Sequence, residues 1–451
     1  MATFPLPPEQ NEADRTPLTA APRLGETSPD RPLRKHRRLR SVLGLLGPTM
    51  ISGAANDDPC AIGTSAQAGA AFGYSLLWTA PFTFPMMAAT VFLSSKLGMV
   101  TGMGIAGVMR RHYPRWLLYP MLGAVVTANI LEAGADIGAI AACLGLFLPV
   151  PVIGITIGFT VVILIVQSWG SYELLHRVFK WLTIALFSYV GAALLAKPDW
   201  GQVLWATVRP TLQFDRSYMA MLVAIIGARL SPYMYFWQAG QEVEEQLAMA
   251  HPHPPSNASD EELRYAAYDV NVGMFFSNLI AYFITLCTAA TLFVAGHRNV
   301  ESVYDAAQAL RPLAGHAASA LFALGVIGVG ILAIPVLTTG AAYALAESFG
   351  WKRGLDRQPE HAREFYGVIA LSTCVALAIA FSGINPIRAL IWASVLMGLL
   401  APPLMLMIML MTNDREIMGN RVNGRFVNIL GWATTAAITA AAIGLIWSWI
   451  A

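Results

Sequence analysis

The amino-acid sequence predicts an all-α membrane protein with eleven transmembrane helices, and three observations lead there. Of the 451 residues, 56% are hydrophobic and only 12% are charged, about half the charge expected of a soluble domain. Mean hydropathy is +0.55, and the apolar residues fall in blocks of roughly 20, the length that crosses a bilayer core as a helix. Lysine and arginine gather in alternate loops, as the positive-inside bias requires.

Residues 1–40 are polar, Pro-rich and basic, with no apolar run. They predict a disordered cytoplasmic tail, not a signal peptide. Residues 41–451 form the membrane domain. Its apolar segments run 41–69, 75–95, 118–146, 152–169, 175–195, 217–248, 267–296, 318–346, 364–382, 387–411 and 428–449. With the N-terminus inside, 22 of the 29 Lys and Arg residues lie in the tail or in inside loops, six lie outside, and Arg229 lies within a span. This predicts a bacterial inner-membrane protein with a cytoplasmic N-terminus and a C-terminus outside. The uncharged stretches 70–74 and 147–151 fit tight outside turns. Residues 249–263, with His251 and His253, read as a polar inside linker, and 301–311 as an amphipathic surface helix. The Met-rich run 405–411 reads as lipid-facing or core. Cys60, Cys143, Cys287 and Cys374 sit far apart in apolar segments and read as buried free thiols, neither a disulfide framework nor a zinc site. No basic soluble domain is present to bind nucleic acid, and no Gly-x-Ser-x-Gly, His-Glu-x-x-His or P-loop motif points to an enzyme.

Two spans carry what a membrane helix avoids. The first holds Asn56, Asp57, Asp58 and Pro59 at its middle, and the sixth holds Arg229, Ser231 and Pro232. Each Pro removes a backbone donor and pushes the preceding residue out of helical conformation. The freed carbonyls are tolerated at membrane depth only where they line a cavity or meet a ligand. Interruption of the first and the sixth of ten helices predicts an inverted repeat of five plus five, repeat one over about 41–195 and repeat two over about 217–411, with 428–449 appended. In that architecture the transported solute sits between the paired broken helices at the midplane.

Four segments carry a family resemblance: GPTMISGAANDDPCAIGT with QAGAAFGYSLLW, KLGMVTGMGIAGVMRRHYP (96–114), IIGARLSPYMYFWQ (225–238), and ALIWASVLMGLLAPPLMLMIMLMTND (389–414). Together they resemble the Nramp family of divalent-metal transporters, over nearly the whole chain after residue 40, which implies a LeuT-like fold. The family's Asp-Pro stands as Asp58-Pro59. Its ligand Asn is Ala61, its ligand Met is Ser231, its sixth-helix histidines are Tyr233 and Gln238, and a tenth-helix Gln is Ser394. This combination is similar to the Nramp-related magnesium transporters, in which the soft thioether is lost and the site is wider.

The chemistry runs the same way, because thioether sulfur favours transition metals whereas carboxylate, hydroxyl and carbonyl oxygens suit Mg²⁺ or Mn²⁺. The expected metal ligands are Asp57, Asp58, Ser231 and Gln238, with the freed carbonyls of Ala55 and Ala228. Ser231 has a second reading, in which its hydroxyl satisfies a carbonyl freed by Pro232. Glu132 and Asp136 share a face of the third span, and Asp136 matches an acid of the family's proton pathway, but the family's next acid is Ala139 here. No histidine lies mid-span, so the expectation is downhill transport of Mg²⁺ or Mn²⁺ without proton coupling. Arg229 opposes a cation site unless it pairs with Asp57. Otherwise it fits a carboxylate, which makes a small organic acid or amino acid the alternative cargo. The acidic run Gln241, Glu242, Glu244 and Glu245 reads as an inner vestibule or a solvated helix end. The expected partners are the divalent ion and the lipid bilayer, with no resident cofactor and no nucleic acid, and a monomer is compatible with the sequence.

Overall fold

A computed structural model describes residue 53 and residues 56–147, 151–169, 188–248, 258–300, 303–308, 315, 318–355 and 359–450. Two units are distinguished, Met1–Leu45 and Leu46–Ala451, and every described residue belongs to the second. The predicted tail, His251, His253 and most of the fifth span lie outside the described residues.

Every regular element among the described residues is helical. In chain order they are α1 (Pro59–Phe72), a 3₁₀ turn (Gly73–Leu76), α2 (Thr79–Thr101), α3 (Ile105–His112), α4 (Arg115–Leu144), α5 (Val152–Trp169), α6 (Ser188–Leu195), α7 (Trp200–Val208), α8 (Arg216–Arg229), α9 (Pro232–Ala248) and α10 (Asp260–Thr288). There follow α11 (Val303–Gln308), α12 (Ala318–Phe349), α13 (Arg363–Ala380), α14 (Pro386–Asn413), α15 (Arg415–Met418) and α16 (Arg425–Ile450). Eight helical stretches among the described residues are long and apolar enough to cross a membrane, counting α8 with α9 as one; α5 is a shorter apolar helix.

Both predicted interruptions are present, and each begins a new helix on its proline. Asn56 and Asp57 form a turn, Asp58 is extended (φ −57°, ψ 169°), and α1 starts at Pro59. Proline suits a first helical position, where its missing N–H would be unpaired in any case. In the second repeat, α8 ends at Arg229, Leu230 leaves helical geometry (φ −110°, ψ 42°), and α9 restarts at Pro232.

The core is built where these breaks meet their neighbours. α4 packs along α12, α13 and α14; α8 packs on α14 and α1; α10 packs on α1 and α2. Small residues let backbones approach, the usual solution where lipid supplies no hydrophobic drive between helices. A side chain on Gly227 of α8 would overlap the Ser394 carbonyl and Gly398 of α14, and one on Gly53 would come within 2.6 Å of the Gly273 carbonyl of α10. Met405, Met407, Met409 and Met411 are buried, so the Met-rich run is core.

The structure corrects one expectation: Cys374 is exposed, because it points off α13, whose surface lies largely open. After the fifth span, Asp199 caps α7, accepting from the backbone N–H of Gly201 (3.0 Å) and Gln202 (3.2 Å). Within the segment predicted as an amphipathic surface helix stands α11, which buries Ala306 and Ala307 as it packs on α12.

Candidate metal site at the broken helices

The two adjacent aspartates at the first break have different partners. Asp58 is the N-cap of α1. Its Oδ1 accepts the Ala61 backbone N–H at 2.6 Å, which satisfies one of the donors that a helix start leaves free. Its Oδ2 accepts the Tyr233 hydroxyl at 3.0 Å, from the first turn of α9. Asp58 is thereby held between the two restarted helices and is buried.

Asp57 turns the other way. Its Oδ1 accepts Arg229 Nη1 at 3.1 Å and the Ser277 hydroxyl of α10 at 3.0 Å. Arg229 donates through Nη2 to Ser65 of α1 at 3.3 Å, and Asn56 donates to the Ser277 hydroxyl at 3.3 Å. The Arg229 and Asp57 side chains are only 3% and 2% exposed. Two charges can stay buried at that depth when they pair and their remaining donors find acceptors. Asp57 and Arg229 therefore neutralise each other, and Asp58 has no such partner charge among the described residues.

The other predicted site residues divide into those near Asp58 and those engaged elsewhere. Ser231 donates to the Gly227 carbonyl at 2.9 Å and lies 3.4 Å from that of Ala228, so its hydroxyl and the Ala228 carbonyl are occupied with each other and with the backbone freed by Pro232. Gln238, nearly two turns along α9, donates to Glu242 Oε1 at 2.9 Å; Glu242 also accepts from Ser95 of α2 at 2.6 Å. Ser394 of α14 accepts from Thr64 of α1 at 2.9 Å, facing the first helix nearly two turns beyond Asp58. Ala55 lies outside the described residues. Of the predicted acidic run, Glu244 accepts from Tyr343 of α12. At the corresponding end of α12, Glu347 accepts from the backbone N–H of Gly104 and Gly107, each at 2.9 Å, and pairs with Arg353 at 3.1 Å.

α4 brings the remaining acids. Glu132 and Asp136 are both fully buried, and none of their four carboxylate oxygens makes a well-formed hydrogen bond among the described residues, Cys60 being the donor beside them. One ligand atom each from Asp58, Cys60 and Asp136 lies within 4.8 Å of the others. The sequence reading passed over Cys60, treating it as an inert thiol, and passed over Ser277 and Ser65. For Cys60 the available signal was its place two residues beyond a buried Asp, at the start of an interrupted helix. For the two serines nothing local distinguishes them from other small residues of a packed span.

A hollow lined by Ser65, Thr79, Thr83, Arg229, Asn278 and Thr285 adjoins the Asp57 side. Thr83 donates to Asn278 at 3.1 Å, which ties α2 to α10 there.

The sequence profile of the family described as Nramp, natural resistance-associated macrophage protein-like, matches residues 49–448. Among solved structures, the chain is similar to the manganese transporter of Eremococcus coleocola, determined with an aromatic bis-isothiourea compound. The TM-score is 0.70 at 18% sequence identity, covering 90% of this chain and 87% of that one. It is also similar to MhsT in complex with L-phenylalanine (TM-score 0.54, 11% identity, 89% and 98% covered). Mhp1, a nucleobase-cation-symport-1 family transporter in a closed conformation, matches with TM-score 0.52 at 14% identity, covering 89% and 91%. At these identities the likeness to solved structures shows a shared LeuT-type fold and nothing finer.

Proposed function

The chain belongs to the Nramp family of divalent-metal transporters, and from that premise we propose that it moves Mn²⁺ or Mg²⁺ by alternating access around Asp58, downhill and without proton coupling. The observation that carries this reading is the difference between the two aspartates. A membrane-depth carboxylate costs about 2.5–3.5 kcal/mol on the translocon scale. Asp57 offsets that cost with Arg229, whereas Asp58 meets only a hydroxyl and a backbone N–H. A divalent ion supplies the missing charge at the point where both helices break.

Arg229 no longer favours an organic anion as cargo, since its guanidinium is engaged by Asp57 and Ser65. Oxygen donors around Asp58 suit Mn²⁺ and Mg²⁺. The uncoupled reading is supported by the described histidines: His112 ends α3, His361 ends the 3₁₀ turn Pro359–His361 before α13, and His297 lies beyond the π-helical turn Ala289–Phe293 that continues α10, so none of these can relay protons to Asp58.

Purified protein in liposomes carrying a divalent-sensitive dye tests the proposal. Mn²⁺ or Mg²⁺ entry is expected in the wild type, unchanged when a pH gradient is imposed, and reduced by about 100-fold or more in Asp58→Ala, the scale of losing an essential charged ligand. Entry that persists in folded Asp58→Ala would sink the Asp58-centred site. Entry that collapses without a pH gradient would sink downhill transport.

A further inference from the structure

Beside Asp58, on the face it turns to α4, lies a group of side chains that the proposed function leaves unused. Cys60 is fully buried in the first turn of α1, and Asp136 and Glu132 are fully buried on α4. Ligand atoms of Asp58, Cys60 and Asp136 sit within 4.8 Å of one another. Metal–ligand bonds of about 2.0–2.3 Å place the ligands of a tetrahedral ion about 3.3–3.8 Å apart, so the three atoms close on one ion when they draw together by about 1 Å.

The second observation is independent of that spacing. Both oxygens of Asp136 and both of Glu132 lack a well-formed hydrogen bond among the described residues, at zero exposure, and the one donor beside them is Cys60. Buried polar atoms are almost always satisfied, and each exception calls for an explanation. Two acids one helical turn apart, open on the side of a third carboxylate and a thiol, are explained together by a cation.

We propose that Cys60 and Asp136 join Asp58 as ligands of the transported ion, with Glu132 one turn away as a supporting carboxylate, so that a cysteine sulfur sets the preference among divalent cations. This rests on the Asp58-centred metal reading and extends it. Sulfur favours borderline and soft ions, whereas Mg²⁺ prefers oxygen and keeps its water. The site therefore ranks Cd²⁺, Zn²⁺ and Mn²⁺ ahead of Mg²⁺. Coordination uses the thiolate, so the S–H proton passes to the neighbouring Glu132 carboxylate as the S–metal bond forms and returns to sulfur when the ion leaves, and no proton crosses with the ion. The role also accounts for a thiol where an ordinary helix start would be served as well by alanine.

The test compares wild-type protein, Cys60→Ser, Cys60→Ala and Asp136→Asn, with Cys143, Cys287 and Cys374 left in place. Addition of Cd²⁺ to purified wild type is expected to raise an ultraviolet sulfur-to-metal charge-transfer band that both Cys60 variants lose and Asp136→Asn weakens. In liposomes the ratio of Cd²⁺ to Mg²⁺ entry is expected to fall about tenfold in Cys60→Ser, the scale of losing one soft donor. Monodisperse gel-filtration peaks establish that each variant is folded, and a misfolded Cys60→Ala leaves Cys60→Ser as the deciding variant. An identical Cd²⁺ band in wild type and Cys60→Ser, or an unchanged Cd²⁺ to Mg²⁺ ratio, overturns the sulfur ligand. Divalent entry that survives Asp58→Ala overturns instead the reading on which it rests.

Discussion

At the scale of single residues, Asp57 and Asp58 show how two identical neighbours acquire opposite tasks from their surroundings. Arg229 and Ser277 close off Asp57, and the start of α1 presents Asp58 to the gap between the repeats. Removing one member of a buried pair strands the other charge, which costs about 3–5 kcal/mol, whereas replacing both is often neutral. Arg229→Met is therefore expected to lower the melting temperature of detergent-purified protein strongly. The double variant Asp57→Asn/Arg229→Met is expected to recover most of the loss. A single variant as stable as wild type would show that the pair is not closed in solution. The sequence left this pairing as one of two readings of Arg229, the other being a site for an organic anion, and the structure shows the pair. The engagement of Ser231 with Gly227 was foreseen as one of two readings, and only the fold chooses between them. Cys60 was legible only as a neighbour of Asp58 at the start of an interrupted helix, since Asp136 reaches it from a helix more than 70 residues away.

At the scale of elements, the prolines did the most to make the architecture readable. Pro59 and Pro232 each forbid a continuous helix by a local steric rule, so both breaks follow from the chain itself. What the sequence left hidden was the contact between helices. Gly227 reads in sequence as one small residue among many, but in the structure it lets the α8 backbone meet α14 at Ser394 and Gly398. Gly227→Leu is expected to force the two helices apart, at a cost of about 1–3 kcal/mol or more for overpacking. Gel filtration would show a fall in the monodisperse fraction, and an unaltered elution profile and melting temperature would contradict the backbone contact. The nine-residue helix α7 was missed for a related reason: it is too short for a period to stand out, and its start depends on the Asp199 cap.

At the scale of the whole molecule, the arrangement of charge predicts orientation. The strong excess of Lys and Arg in the tail and in alternate loops predicts a cytoplasmic N-terminus and, for eleven spans, a C-terminus outside. Green fluorescent protein fused after Ala451 is expected to be dark and alkaline phosphatase at the same place active in a bacterial host; the reverse pattern would show a C-terminus inside. Gross organisation of this kind is legible because hydropathy and loop charge are summed over long stretches, and single errors average out. The site is less legible because it is assembled from α1, α4, α8, α9 and α10, and no sum along the chain reports which side chains meet.

The buried Arg229–Asp57 pair has an electrical consequence. A carrier that has released its ion must return with its binding groups exposed to the voltage across the bilayer, where each elementary charge carried over the full field involves about 2.3 kcal/mol per 100 mV. By holding its own counter-cation against Asp57, the protein removes one negative charge from that return journey. An inside-negative potential pushes a negatively charged empty site toward the outside, so by cancelling Asp57 the pair lowers the voltage dependence of the empty carrier's return by one charge.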